Sequence, residues 1–408
     1  MSDVKEVVIT KKRKNTSLLI AFCLIVTGAV CFYKEGTIPL FIAMNGVAGI
    51  IVVAHAFTHR GLKLFFTPFL IWISTLFALF LIYGFLFLRA GIFNGDKFIF
   101  MYAECWLLYY IVKNFLACDS NSELFATGCS ICAIVCMAML FVNEGRMIFS
   151  QEGLRLGSTL AGNANSVGMS LGLMSIFITN YFGRSRKKRY LLLLAVMAVF
   201  MLVTGSKKAL IYILLDVILL YSYAKDKVAG FLKIAFLVGI LAYLVFCIDF
   251  FYNIIGHRVI DMLGAFGFHV SGAQYSYSTS VRLKMLKEAY QYWMESPIWG
   301  SGMNYFFYRT STGYEYSHSN IMELLCNMGL IGCMLYYFPF FISFVNYRKY
   351  KAVNTKDAGF VLWLSMLILV LGFLAVGYSD TCLSYLLAIY CFAYYETYAR
   401  KVRNKWVN

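Results

Sequence analysis

The sequence predicts an all-α, polytopic integral membrane protein. Three observations carry this. The 408-residue chain is 61% hydrophobic and only 14% charged. Its mean hydropathy is +0.71, and apolar runs long enough to cross a bilayer recur along its whole length. Its cations sit in short clusters between those runs, which is the pattern of a membrane protein oriented by positive charge. A net charge of +16 could otherwise point to nucleic acid, but no basic patch is set on a soluble surface, so nucleic acid is excluded as a partner.

Twelve candidate spans follow in order, at about 17–33, 38–58, 64–88, 98–117, 124–142, 160–182, 190–205, 209–224, 228–250, 318–346, 358–376 and 379–398. With the N-terminus in the cytoplasm, 24 of the 36 Lys and Arg fall on the cytoplasmic side; the inverted topology would reverse the ratio. Both termini are therefore expected inside. Lys11-Lys12-Arg13-Lys14 precede the first apolar run without a small-residue cleavage site, so that run reads as an uncleaved first span.

Spans nine and ten are separated by a long extracytoplasmic loop, residues 251–317. Thr279-Ser280 can cap a helix running from Val281 to about Glu295, which Pro297 ends. Leu283, Leu286, Tyr290 and Trp293 form an apolar stripe at helical spacing. Ser296-Pro297-Ile298-Trp299-Gly300-Ser301-Gly302 then reads as a tight turn, and the loop is expected to fold back onto the outer membrane surface. Residues 1–408 are expected to form a single membrane domain that includes this loop.

The twelve cysteines lie mostly inside apolar runs. Cys129, Cys132 and Cys136 share a helical face, and buried thiols of this kind are ordinarily small packing groups. No polar loop carries a disulfide framework, and no outer-face carboxylate cluster suggests a divalent ion; neither a metal nor a cofactor is expected. Glu104 and Asp216 fall within spans, where a carboxylate is expensive, and read first as buried hydrogen-bonding groups.

The most informative stretch is His318-Ser319-Asn320-Ile321-Met322-Glu323-Leu324-Leu325-Cys326-Asn327-Met328-Gly329-Leu330-Ile331-Gly332. On a continuous helix, position 329 returns under position 318, so the two glycines would let a neighbouring helix approach on the histidine's own face. His318 would then sit at the membrane boundary, facing the aqueous side. Around it the topology collects Arg155, Lys207, Lys208, Arg282 and Arg309 at the outer mouths of different spans, with Asn165 at the top of the sixth. Lys207 and Lys208 stand in a short outer link that needs no cations for orientation. Permanent cations beside one imidazole suit transfer from an anionic leaving group. Arginine grips diphosphate oxygens bidentately, and neutral histidine can take the proton of a hydroxyl acceptor.

His318-Ser319, nine residues, then Gly329-Leu330-Ile331-Gly332 resembles the H[NSQ]-x9-G-x-x-G motif of the bacterial O-antigen ligase and polysaccharide polymerase superfamily. Arg282-x3-Leu286 is similar to that family's upstream R-x3-L motif, and Arg155-x-Gly157 leading to Asn165 is similar as well. The resembling residues all lie within 155–332. One departure is Ser206-Lys207, where many members have Ser-Arg.

The resemblance implies a GT-C type membrane glycosyltransferase of the bacterial cytoplasmic (inner) membrane, working at its outer face. The implied donor is a glycan on undecaprenyl diphosphate; the implied acceptor is a hydroxyl on another glycan (a polymerase), on lipid A core (a ligase) or on a protein. His318 would be the base, Arg282 the diphosphate ligand, and Arg155, Asn165, Lys207, Lys208 and Arg309 substrate-binding residues. Leu286, one turn after Arg282, would lock its helix. Membrane lipids, a flippase and a chain-length regulator complete the expected partners. Polymerisation of repeat units is favoured over ligation, since nothing in the chain identifies a lipid A acceptor. The competing class is a secondary transporter or lipid-linked glycan flippase. It would call for paired broken helices at the midplane and internal repeats, and the sequence shows neither.

Overall fold

The computed structural model describes residues 16–33, 36–58, 67–117, 121–148, 155–157, 163–260, 277–353 and 355–407. The N-terminal cationic cluster, Gly162 and positions 261–276 of the long loop lie outside the described residues. Among those described, the structure is helical throughout, with one isolated bridge between Leu88 and Met303.

The principal helices are α1 (Thr16–Phe32), α2 (Ile38–Thr58), α3 (Pro68–Leu86), α4 (Gly95–Leu116), α5 (Asn121–Ile148), α6 (Ala164–Ser185), α7 (Lys188–Val203), α8 (Lys207–Ser222) and α9 (Lys227–Cys247). After the long loop's first part come α10 (Tyr277–Glu295), α11 (Tyr305–Arg309), α12 (Asn320–Val345), α13 (Thr355–Leu374) and α14 (Leu386–Val407). A helix therefore stands at each of the twelve apolar stretches. Six described helices are long and apolar enough to cross a membrane: Ile38–Thr58, Pro68–Leu86, Glu123–Arg146, Lys227–Cys247, Asn320–Val345 and Lys356–Leu374. The others fall short for physical reasons. α7 and α8 have 16 residues each, about 24 Å at the helical rise, and α4 carries Asp96, Lys97, Glu104 and Lys113. The chain is a multi-pass membrane protein.

It divides into two compact units. The first holds residues 1–51 and 118–276, the second 52–117 and 277–408. In the first unit, α6 packs on α8 at a pair of small residues. A Cβ on Gly172 would lie 2.4 Å from Tyr212, and one on Gly168 would lie 2.8 Å from the Thr204 hydroxyl, so only glycine permits this approach. Asp216, buried on α8, accepts a hydrogen bond from Ser175 on α6, as a carboxylate inside a span requires. Cys129, Cys132 and Cys136 are free thiols with no exposed surface.

In the second unit an aromatic layer joins α3, α4 and α14. Phe69 stacks on Tyr109 with centroids 4.0 Å apart, and Trp72 meets Phe392 at 5.2 Å. Lys113 pairs with Glu396 at 2.5 Å, and Tyr109 donates to the same carboxylate. Pro339 lies inside α12 and has no N–H for the carbonyl four residues earlier, that of Leu335. The Trp72 indole donates to that carbonyl at 2.7 Å, so the proline's missing bond becomes the anchor between α3 and α12.

Candidate active site

The site is built on a break in α12. Gly329 has φ 64 and ψ −161, a conformation open essentially to glycine alone, and it interrupts the helix. The backbone groups released there are taken up by the turn after α10. Ser301 N donates to Cys326 O at 2.8 Å and Gly302 N to Asn327 O at 3.0 Å. In return Leu330 N donates to Pro297 O at 2.9 Å and Ile331 N to Ile298 O at 3.3 Å. A Cβ on Gly329 would lie 2.3 Å from Ile298 O, and one on Gly300 would lie 2.5 Å from Asn327 O. This corrects one expectation. Gly329 does not sit below His318 on a continuous helix to admit a neighbouring helix; it admits a turn of loop backbone.

The turn is held from its other side too. Tyr83, near the end of α3, donates to Trp299 O at 2.6 Å, and Arg89 Nε donates to Ser301 O at 2.7 Å. α10 is thereby fixed at its C-terminal end, and Pro297 ends it as expected. The helix begins at Tyr277, ahead of Thr279 and Ser280, so those two residues do not cap it. Its packed face also differs from the expected stripe. Met285 and Ala289 are buried with Phe306 and Cys326, flanked by Val281, Tyr292 and Trp293. Leu283 and Tyr290 are exposed, because the docked turn rotates the helix to present Met285 rather than Leu283 inward.

Arg282 lies on the half-buried edge of α10. It acts on the Tyr316 phenol: partial burial and the Asp380 carboxylate raise that phenol above its ordinary value, and the Arg282 guanidinium opposes them. Tyr316 in turn meets the His318 ring edge-on at 4.6 Å, and Tyr314 meets it at 5.8 Å. Asp380 also attracts Lys97 in the first turn of α4. Thus the His318 ring packs on Tyr316, and the Arg282 and Asp380 charges both act on the Tyr316 phenol. Sequence reasoning missed Tyr314, Tyr316, Asp380 and Lys97. The signals available were a tyrosine two residues from the histidine and a lone carboxylate in the short link between the last two spans.

His318 is half-buried immediately before Ser319, which caps α12 by accepting from Met322 N at 3.4 Å. It adopts φ 59, one of three non-glycine positive φ values among the described residues. Arg309 is engaged elsewhere in the loop. Its guanidinium meets both oxygens of Glu295 at 3.2 Å and the Tyr305 hydroxyl at 2.8 Å. It also lies over the Tyr292 and Tyr305 rings.

In the first unit the other expected residues gather around the start of α8. Arg155 donates through Nε to Thr204 O at 2.9 Å and through a terminal nitrogen to Asn165 Oδ1 at 2.8 Å. Leu156 N donates to Val203 O at 3.2 Å, and Gly157 N to Glu144 Oε2 at 2.7 Å. Arg258 reaches Gly205 O at 3.1 Å. Gly205, at φ 58, has no room for a Cβ, which would lie 2.9 Å from Ile254 O. Ser206 caps α8, and Lys207 and Lys208 are its first two residues. Cations there add to the positive end of the helix dipole, an unfavourable placement that an anion relieves.

Residues 192–337 match the O-antigen ligase family. The O-antigen ligase match covers Lys207, Lys208, Arg282, Arg309, His318, Gly329 and Gly332, and leaves Arg155 and Asn165 outside. It supports the superfamily resemblance read from the histidine–glycine motif, and with it a glycosyltransferase-like role in O-antigen assembly on lipid-linked glycans in the membrane. No curated protein matches the chain significantly. The geometry also gives the O-antigen ligase motif a physical reading. The nine residues after His318-Ser319 are the helical segment between the cap and the break, and that length sets the histidine turn relative to the docked loop.

Proposed function

We propose that the chain is a membrane glycosyltransferase that moves a glycan from undecaprenyl diphosphate to a hydroxyl acceptor and so polymerises polysaccharide repeat units. His318 takes the proton of the acceptor hydroxyl. The acceptor oxygen attacks the anomeric carbon, the bond from that carbon to the diphosphate breaks, and its electron pair leaves on the diphosphate. Arg282 meets the charge that develops there, where a preorganised donor is worth most. Tyr316, protonated at neutral pH, packs edge-on against the imidazole and lies within the electrostatic reach of Arg282. Arg155, Asn165, Lys207 and Lys208 form a separate cationic cluster in the first unit that is assigned to substrate binding, and Arg309 shapes the loop through Glu295 or meets substrate when released from it.

The observation that supports this reading best is the placement of His318. It is a half-buried imidazole in a left-handed turn immediately before α12, packed edge-on against Tyr316. Strained, over-determined backbone is characteristic of sites where geometry must be fixed before reaction. The proposed setting is the bacterial inner membrane, with twelve spans, both termini cytoplasmic and the 251–317 loop outside. The direct test is purified protein in nanodiscs with a lipid diphosphate-linked glycan. Release of lipid diphosphate with lengthening of the glycan is expected. Release only when a lipid A core acceptor is supplied would make the protein a ligase, and no release with either acceptor would overturn the proposal.

A further inference from the structure

α12 begins with an unusual cap. In an ordinary capping box, a side chain in the first turn reaches back to the N–H of the cap residue itself. Here the cap is Ser319, and Glu323 in the first turn reaches past it. Its Oε2 accepts from Ser317 N at 2.8 Å, two residues before the cap. The carboxylate therefore closes a small loop with His318 at its tip. Ser317 Oγ donates across that loop to Ser319 O at 3.1 Å.

The far side of the loop is fixed as firmly. Ser319 Oγ donates to Gly372 O at 3.1 Å, and Asn320 N donates to Ala375 O at 3.1 Å. Asn320 Oδ1 accepts from both Gly377 N and Tyr378 N at 2.8 Å, and its Nδ2 reaches the Tyr337 hydroxyl at 3.2 Å. Ser317 and Ser319 have no exposed surface, and Asn320 and Glu323 are 3% exposed. His318 is half-buried between the buried Ser317 and Ser319. The segment that Asn320 grips continues directly to Asp380, whose N–H donates to Gly377 O at 3.1 Å.

We propose that Glu323 and Asn320 are positioning residues for His318, holding its turn in the left-handed conformation and tying that turn to the segment that presents Asp380. This rests on the glycosyl-transfer reading of His318. A histidine at positive φ is held against its backbone preference, so it keeps that conformation only while both flanks are pinned. Without the Glu323 acceptor, Ser317 is free to move and the imidazole swings with it. Without Asn320, the histidine turn and the Asp380 segment lose their common anchor. Neither side chain touches substrate; each acts through His318.

The test uses full-length protein in nanodiscs and an undecaprenyl diphosphate-linked glycan as donor. Glu323→Met keeps the buried volume and removes only the acceptor, and Asn320→Leu does the same for the second anchor. Each is expected to lower kcat on the order of 10²-fold, the effect of misplacing a catalytic group by about an ångström. KM for the donor is expected to stay near wild type; thermal unfolding is expected to fall, because each change leaves buried N–H groups without an acceptor, so kcat is compared per amount of folded protein below the unfolding temperature of every variant. Glu323→Gln retains an amide oxygen for the Ser317 N–H and is expected to recover most of the turnover. Wild-type kcat in both isosteric variants would overturn the proposal. So would Glu323→Gln being as poor as Glu323→Met, or turnover falling only in proportion to folded protein. His318→Ala is assayed alongside. If it still turns over, the reading of the reaction fails; if it is dead while Glu323→Met is normal, only the positioning role fails.

Discussion

Gly329→Ala is the substitution whose effect the structure fixes most closely. The added methyl has two consequences. It forces a side chain onto φ 64, ψ −161, a conformation costing a non-glycine residue on the order of 1–3 kcal/mol. It also lies 2.3 Å from Ile298 O and 2.5 Å from Gly300 N, both backbone atoms that no rotamer change can move aside. Overpacking of this kind costs about 1–3 kcal/mol. Together the two give roughly 2–6 kcal/mol, against a total stability of about 5–15 kcal/mol for an ordinary domain. Relief requires the 297–302 turn to lift off, which breaks the four backbone hydrogen bonds across the break. The control is Gly359 on α13, whose added Cβ meets nothing within 4 Å; Gly359→Ala is expected to be neutral or stabilising by about 0.5–1 kcal/mol. The assay is thermal unfolding of detergent-purified protein, with limited proteolysis of residues 296–317 at a fixed temperature. Gly329→Ala should unfold at clearly lower temperature and be cut faster in the loop. Equal stability of the two alanine variants would refute the docked-turn account.

Further outcomes are expected elsewhere. Arg282→Lys keeps the charge and loses the planar fork, so turnover should fall by about 10²–10³ at unchanged protein level; wild-type rates would reduce Arg282 to a surface anchor. Trp72→Phe leaves the Leu335 carbonyl without the indole that replaces the Pro339 N–H, and should lower stability by about 1–3 kcal/mol in thermal unfolding. Transfer should persist in excess chelator, because guanidinium and ammonium groups are the proposed counter-charges for the diphosphate; strict restoration by Mg²⁺ or Mn²⁺ would show that assignment to be wrong. A cysteine at Glu315, in a cysteine-free background, should react with an impermeant thiol reagent from the outer face, and reaction only after lysis would reverse the proposed topology.

Much of the helical order was legible because it follows from local apolar runs, and α10 and its Pro297 stop follow from local turn chemistry. What escaped the sequence depended on partners far along the chain. The helical wheel through His318 and Gly329 assumes continuous helix, and nothing local announces that Gly329 adopts positive φ to receive Pro297–Gly302. The stripe on α10 was misjudged by about one residue in phase, since Leu283 and Met285 are equally apolar and only the docked turn chooses between them. The Arg309–Glu295 ion pair was not foreseen, because its two members lie fourteen positions apart, across the turn after α10. Asp380 lies far along the chain from Tyr316, and its charge reaches the Tyr316 phenol only through folding. Arg155 and Asn165, by contrast, do meet, and only ten positions of chain separate them.

The central claim is that His318 is the base for transfer from a lipid diphosphate. It is tested most directly by following lipid diphosphate release and glycan length with purified wild-type and His318→Ala protein in nanodiscs, with circular dichroism and thermal unfolding checked on both. The account predicts release and lengthening by wild type, and loss of both in His318→Ala at unchanged folding, since the side chain stands outside the packed frame of Ser317, Ser319, Asn320 and Glu323. Near-normal product length and yield from His318→Ala would contradict it.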